Sequence, residues 1–125
     1  LKEKAQHLIG DLRTQLQEVN GVQFLATKID LDQNGIKNLA FALGKEFQNL
    51  FLLFATSEKK DKAMLTCYIS KELANDRGYD AGKVVRELGK LIHGGGGGQP
   101  FFATAGGKNP SGIPEALERA KEYLV

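Results

Sequence analysis

The chain has 125 residues, of which 42% are hydrophobic and 26% are charged, and its formal net charge is +2. This is the composition of an ordinary soluble globular domain, and it excludes a disordered tail. The longest apolar run, residues 50–55, is far shorter than the about 20 residues of a membrane helix, and no signal sequence is recognisable. Cys67 is the single cysteine and sits in an apolar strand pattern, which indicates a buried side chain rather than a nucleophile. We expect a cytoplasmic protein with no membrane partner.

Residues 1–19 carry a helical pattern. Their apolar positions recur at steps of three or four residues, with charged and amide side chains between them. We expect a helical arm, the end of a coiled-coil-like segment, that supports a homodimer through Leu1, Leu8, Leu12 and Leu16. The alternative that this pattern leaves open is a helix lying on the domain's own sheet. Because the chain starts with Leu1 inside the pattern, we expect it to be part of a longer protein.

Residues 20–125 are expected to form one globular domain. The apolar run at residues 50–55 is typical of a strand buried on both faces, and the short turn after it forces the next strand, residues 63–69, to be antiparallel. The other predicted elements are a strand at 22–29, an extended segment at 100–105, and helices at 36–47, 81–93 and 115–124. Asp80 is the predicted N-cap of the helix at 81–93. The predicted fold class is α+β: a helical arm followed by a small mixed sheet of three to four strands packed with helices.

Five consecutive glycines, Gly94, Gly95, Gly96, Gly97 and Gly98, form the least ordinary stretch of the sequence. If they are ordered, they lose about 2.5–5 kcal/mol more backbone entropy than alanines would. A flexible linker would avoid this loss, but it would strand only residues 99–125 beyond it, which is too short a piece to fold alone. We therefore predict an ordered loop whose backbone N–H groups closely approach a phosphate or another anion.

The glycine run is followed by Gln99, Pro100, the segment Phe101–Ala105 and the pair Gly106-Gly107. This order resembles the signature of the DHHA1 domain, which is a run of glycines, a basic residue, Pro, a few residues, and a segment of small residues that ends in paired Gly. The domain occurs at the C-terminus of alanyl-tRNA synthetases and behind the catalytic domain of DHH phosphoesterases. The leading helix and the closing Pro-Glu-Ala-Leu-Glu-Arg-Ala-Lys segment make the whole chain more similar to the first group.

The resemblance implies a non-catalytic domain that binds the elbow of tRNA-Ala and bridges the aminoacylation and editing domains upstream in the same chain. Its helical part would mediate dimerisation. The parent would be an alanine–tRNA ligase that uses ATP, magnesium and zinc, whereas this fragment is expected to hold no cofactor, no metal and no catalytic residue. The alternative, also implied by the resemblance, is the substrate-binding domain of a DHH phosphoesterase that acts on single-stranded nucleic acid or oligonucleotides.

The candidate nucleic-acid contacts are the five glycines and the polar residues around them: Gln99, Lys108, Lys90 and His93. Gln99 stands where the family usually carries Arg, so it offers a hydrogen bond without a charge, and the glycine amides would carry more of the contact. Phe101 and Phe102 point to opposite faces if extended, which predicts that at least one is in the core and leaves the other free to stack on bases.

Overall fold

The computed structural model describes residues 10–12, 14–19, 21–29, 33–47, 49–57 and 62–124, and within these ranges six strands form a single mixed sheet. The strands are β1 (Gln17–Val19), β2 (Val22–Lys28), β3 (Leu50–Thr56), β4 (Ala63–Ile69), β5 (Gly94–Gln99) and β6 (Phe102–Gly107). The helices that follow β2 are α1 (Gln33–Glu46), α2 (Lys71–Arg77), α3 (Ala81–Gly89) and α4 (Ile113–Ala120), and short 3-10 turns at Lys90–Ile92, Pro110–Gly112 and Lys121–Leu124 adjoin α3 and α4.

The strands lie in the order β1-β2-β3-β4-β6-β5. β2 and β3 are parallel and α1 connects them, whereas the remaining neighbours are antiparallel, including β3 and β4 as predicted. The α+β class is therefore confirmed, but the expected number of three to four strands was wrong. The two strands that had not been predicted as strands, β1 and β5, are the two edges of the sheet.

The sheet carries a separate core on each face, and β3 contributes to both. Side chains of β3 alternate between the faces, and all seven are buried, which confirms the central strand predicted at residues 50–55. On one face, α3 and α4 pack on Phe51, Leu53 and Ala55. On the other face, α1 packs on Leu50, Leu52 and Phe54 with four of its own side chains: Ile36, Leu39, Ala40 and Leu43.

Leu12 and Leu16, near the start of the described residues, pack on the domain itself. Residues 10–12 and 14–15 are helical, Leu12 is only 3% exposed in the α1-side core, and Leu16 is half-buried against it. This is the alternative of a helix lying on the domain's own sheet. Leu1 and Leu8 lie outside the described residues, and dimerisation stays a prediction.

The helix predicted over residues 1–19 was too long at its C-terminal end, because Gln17–Val19 form strand β1. β1 pairs with β2 through Val19 and Val22, and only two residues separate these partners. Gly21 has a φ of 81°, a left-handed value that suits the tight turn of a two-residue hairpin. Hairpin pairing therefore outweighs the helical periodicity at this point.

Helix α3 begins as the sequence predicted. The Asp80 carboxylate accepts hydrogen bonds from the backbone N–H groups of Gly82 (2.9 Å) and Lys83 (3.4 Å), which caps the helix. Ser70 precedes α2 but makes no capping bond with its side chain. Its hydroxyl instead accepts a hydrogen bond from the Leu50 N–H at 2.9 Å and ties the start of β3 to the end of β4.

Candidate nucleic-acid interface

The five glycines form most of an edge strand, β5, rather than the predicted loop. β5 pairs antiparallel with β6, from Gly94 opposite Gly107 to Gln99 opposite Phe102. Glycine has a low intrinsic preference for strands, so pairing with β6 and packing against α3 must determine this conformation. The prediction that the run is ordered is confirmed, and the prediction of a loop was wrong.

Alternate glycines of β5 have no room for a side chain. A Cβ atom on Gly96 would overlap the Thr104 carbonyl oxygen and the Ala105 Cα, and Gly94 and Gly98 meet similar overlaps with β6. Helix α3 lies close by, since a Cβ atom on Gly82 would come within 3.2 Å of the Gly98 carbonyl oxygen. Gly94, Gly96 and Gly98 are therefore required for the close pairing with β6, and Gly82 allows α3 to approach β5.

The remaining glycines leave the opposite face of the hairpin bare. At Gly95, Gly97 and Gly106, a Cβ atom would meet no heavy atom within 4 Å. Gly95 and Gly106 are directly opposite each other, and Gly97 is opposite the half-buried Thr104. We call these four residues the open glycine face. A planar or bulky ligand could reach the backbone here without meeting large side chains.

The outer edge of β5 is the second feature of this site. Within the described part of the chain, β5 is bonded to β6 alone, so alternate residues present their N–H and C=O groups away from the sheet. The N-terminus of α3, in contrast, is already occupied. Asp80 caps it, and the Ala81 N–H donates to the Pro100 carbonyl at 2.9 Å. Donors for an anion therefore come from the strand edge and not from the helix terminus.

The polar candidates are divided between the two ends of the hairpin. His93 and Lys108 flank its Gly94–Gly107 end, and both are exposed. Gln99 is the last residue of β5 and lies at the other end of the hairpin. At the usual rise of a strand, the six residues of β5 span about 17 Å, which separates Gln99 from His93 and Lys108. Lys90 belongs to neither end of the hairpin. It lines a groove of about 430 Å³ together with Arg119 and Tyr123. The predicted residues thus do not converge on one anion.

Two phenylalanines at the hairpin turn meet lysines from distant parts of the sequence. The Lys37 Nζ lies 5.9 Å from the centre of the Phe102 ring, and the Lys71 Nζ lies 5.0 Å from the centre of the Phe101 ring. Both rings are half-buried and neither belongs to a core cluster, so the prediction that one of them is core was wrong. Sequence reasoning missed both lysines, since only the folded sheet brings α1 and α2 to this turn.

Cys67 is buried, as predicted from its strand pattern. Burial, and secondarily the nearby Asp80 carboxylate, raise the pKa of its thiol, which disfavours the reactive thiolate. Across the described ranges, no group of three or more His, Cys, Asp or Glu side chains could hold a metal ion. None of the helices described is long and apolar enough to cross a membrane.

Residues 21–125 match the DHHA1 domain family. The alanine–tRNA ligase of Christiangramia forsetii is 56% identical over 124 residues, which are 99% of this chain and 14% of that ligase. The alanine–tRNA ligase of Flavobacterium psychrophilum is 46% identical over the same shares of the two chains. This chain therefore spans about a seventh of the length of these relatives.

Solved structures agree with the sequence relatives. The C-Ala domain of alanyl-tRNA synthetase from Aquifex aeolicus superposes with a TM-score of 0.74 at 31% identity, covering 87% of this chain and 96% of that one. RecJ from Thermus thermophilus shares the fold, with a TM-score of 0.57 at 15% identity over 98% of this chain and 18% of RecJ. The resemblance seen in the glycine signature is confirmed. The chain belongs to the DHHA1 domain family and, within it, to the C-terminal domains of alanyl-tRNA synthetases.

Proposed function

We propose that this chain is a non-catalytic tRNA-binding domain of an alanine–tRNA ligase in the cytoplasm. In this role it binds the elbow of tRNA-Ala and helps upstream domains of the same chain to aminoacylate and edit that tRNA. ATP, magnesium and zinc would be used by those upstream domains and not by this one. The proposal rests on the family relationship together with one structural observation, which is the open glycine face.

The open glycine face supports RNA binding through its shape. Folded RNA is recognised mainly by shape and through its 2′-hydroxyl and phosphate groups, and both contacts require close approach. At Gly95, Gly97 and Gly106 a ligand could come within van der Waals distance of the backbone. The outward N–H groups of the β5 edge would then donate hydrogen bonds to phosphate or ribose oxygens.

The charges around the hairpin support a polyanionic ligand. Lys108 and His93 flank one end of the strand pair, and Lys37 and Lys71 lie at the turn at the other end. A ligand lying along β5 would therefore have cations at both ends of the strand. Phosphate contacts of this kind make the affinity fall as salt concentration rises, because bound counterions are released on binding.

The experiment that tests the proposal is direct binding of the 125-residue chain to RNA. Fluorescence anisotropy would follow a labelled tRNA-Ala transcript at several salt concentrations, with unlabelled short single-stranded oligonucleotides as competitors. We expect saturable binding of the transcript, weakening by at least tenfold between about 50 mM and 200 mM salt if three or more phosphates are contacted. We also expect the oligonucleotides to compete poorly.

Two outcomes would contradict the proposal. If the chain does not bind the transcript at low salt, it is not a tRNA-binding domain. If short single strands displace the transcript at equal nucleotide concentration, the chain behaves like the substrate-binding domain of a DHH phosphoesterase, with which it shares its fold through RecJ.

The dimerisation role is a separate part of the proposal and has its own test. Leu12 is buried within this chain, so a dimer would depend on residues that precede it. Sedimentation velocity of the 125-residue chain and of a chain lacking residues 1–9 would compare the two. A dimer that is lost on truncation would support the proposed arm, whereas a monomer in both cases would contradict it.

A further inference from the structure

Three phenylalanines lie outside both hydrophobic cores, and they are close to the hairpin turn. Among the described residues, neither core cluster includes Phe41, Phe101 or Phe102, although the other phenylalanines belong to one cluster or the other. The Phe41 and Phe102 rings stack on each other with centroids 5.3 Å apart and an interplanar angle of 23°. We call this pair, with Lys37, the aromatic patch.

Tyr68 holds the aromatic patch in place through a contact with Phe41. The Tyr68 ring meets Phe41 edge-on, with centroids 5.4 Å apart and an interplanar angle of 82°. Tyr68 in turn fits against α1 at Gly44, where a Cβ atom would overlap the tyrosine hydroxyl. Helix α1 therefore lies close to the sheet at this point, and the stacked pair has a fixed position on the surface. A preformed surface loses little conformational entropy when a ligand binds.

The aromatic patch adjoins the open glycine face. Phe102 is opposite Gln99 in the hairpin, and Thr104, two residues further along β6 and on the same side of the sheet, belongs to the open glycine face. Both rings of the pair remain partly exposed. The Lys37 ammonium, 5.9 Å from the centre of the Phe102 ring, gives the apolar rings a cationic border.

We propose that unpaired or helix-terminal bases of the bound RNA stack on the aromatic patch while Lys37 contacts a neighbouring phosphate. This inference rests on the proposed function. It adds to the RNA-binding surface of the protein a part that the glycine signature does not include. The chemistry favours RNA over a protein partner. Aromatic side chains offer stacking to any base, a lysine beside them binds phosphate, and the adjoining face lacks the large side chains of a protein interface core.

The test uses the 125-residue chain and a tRNA-Ala transcript that carries 2-aminopurine in the elbow loops. The variants Phe102→Leu and Phe41→Leu keep apolar volume but remove the ring, and Lys37→Gln removes the charge. Phe47→Leu, at a half-buried ring packed on the α1-side core, is the matched control for the rings. Lys45→Gln, an exposed lysine near the end of the same helix, is the matched control for the charge.

We expect each ring variant to bind the transcript about 5- to 150-fold more weakly, the range that loss of base stacking on an aromatic side chain produces. The stacking change in 2-aminopurine fluorescence should be present for the wild type and absent for Phe102→Leu. Lys37→Gln should reduce the slope of log affinity against log salt by about 0.7–0.9, and both controls should match the wild type.

The outcomes separate this inference from the function on which it rests. If the wild-type chain does not bind the transcript, the proposed function fails and this inference with it. If the wild type binds, but the ring variants and Lys37→Gln behave like their controls, the inference alone is wrong. Circular dichroism melts identify any variant that does not fold, and in that case Lys37→Gln, which changes an exposed side chain, decides the outcome.

Discussion

Gly96 lies directly opposite Ala105 in the β5–β6 hairpin, so close that a Cβ atom on Gly96 would overlap the Ala105 Cα. Its neighbour Gly95 faces open space. We expect Gly96→Ala to lower the free energy of unfolding by about 1–3 kcal/mol, the usual cost of overpacking. Gly95→Ala should raise it by about 0.4–1 kcal/mol, because alanine restricts the unfolded chain. Urea unfolding curves measure both, and equal destabilisation by the two variants would contradict this account of the glycines.

His93 is the one non-glycine residue with a positive φ in the described ranges, with φ and ψ of 54° and 48°. A residue with a Cβ atom in this left-handed conformation destabilises the folded state by about 1–2 kcal/mol, and replacing it with glycine would remove part of this destabilisation. We therefore expect His93→Gly to raise the free energy of unfolding by up to about 1 kcal/mol. Thermal or urea unfolding would show the gain. A loss of stability would mean that the imidazole itself makes a stabilising contact.

Tyr123 ties the end of the chain to α3. Its hydroxyl donates to the Glu87 carboxylate at 2.7 Å. Burial first, and then this hydrogen bond, raise the pKa of Tyr123 above its ordinary value of 10.0. Because folding favours the protonated phenol, the contribution of Tyr123 to stability is full below about pH 10 and declines as the pH rises further.

We expect Tyr123→Phe to lower the free energy of unfolding by about 0.5–1.5 kcal/mol at pH 7, the usual contribution of such a hydrogen bond. The difference from the wild type should shrink above pH 10. Glu87→Gln, which removes the charge of the acceptor, is the companion variant. Its free energy of unfolding should decline less above pH 10 than that of the wild type. A wild-type advantage that stays constant from pH 7 to pH 11 would contradict this assignment.

The centre of the fold could be predicted because single elements determine it. The unbroken apolar run of β3 must be buried on both faces, and the Asp80 side chain begins α3 by a local hydrogen bond to Gly82. Both features depend on residues that are near one another in the sequence. The two edge strands could not be predicted in this way. Glycine has little tendency to form strands, so β5 exists because β6 pairs with it.

The candidate site was predicted in part. The glycine signature identified the hairpin, but not the division of its glycines into those that contact β6, such as Gly96, and those on the bare face, such as Gly95. Lys37 and Phe41 lie about sixty residues before Phe102, and their spacing of four indicates only that they share a side of α1. Contacts that join separate helices to one turn depend on the tertiary fold and leave no local pattern.

The measurement that tests the central claim most directly compares two valine substitutions on opposite edges of the sheet. Gly95→Val places a side chain on the open glycine face, and Gln17→Val replaces an exposed side chain of β1, the strand at the other edge. Both variants should fold, since valine is favoured in strands and neither position is crowded. Anisotropy titrations with the tRNA-Ala transcript at equal salt should show about a tenfold or greater loss for Gly95→Val and no change for Gln17→Val. Equal affinity of the two variants and the wild type would contradict the claim that RNA binds by close approach to the glycine backbone.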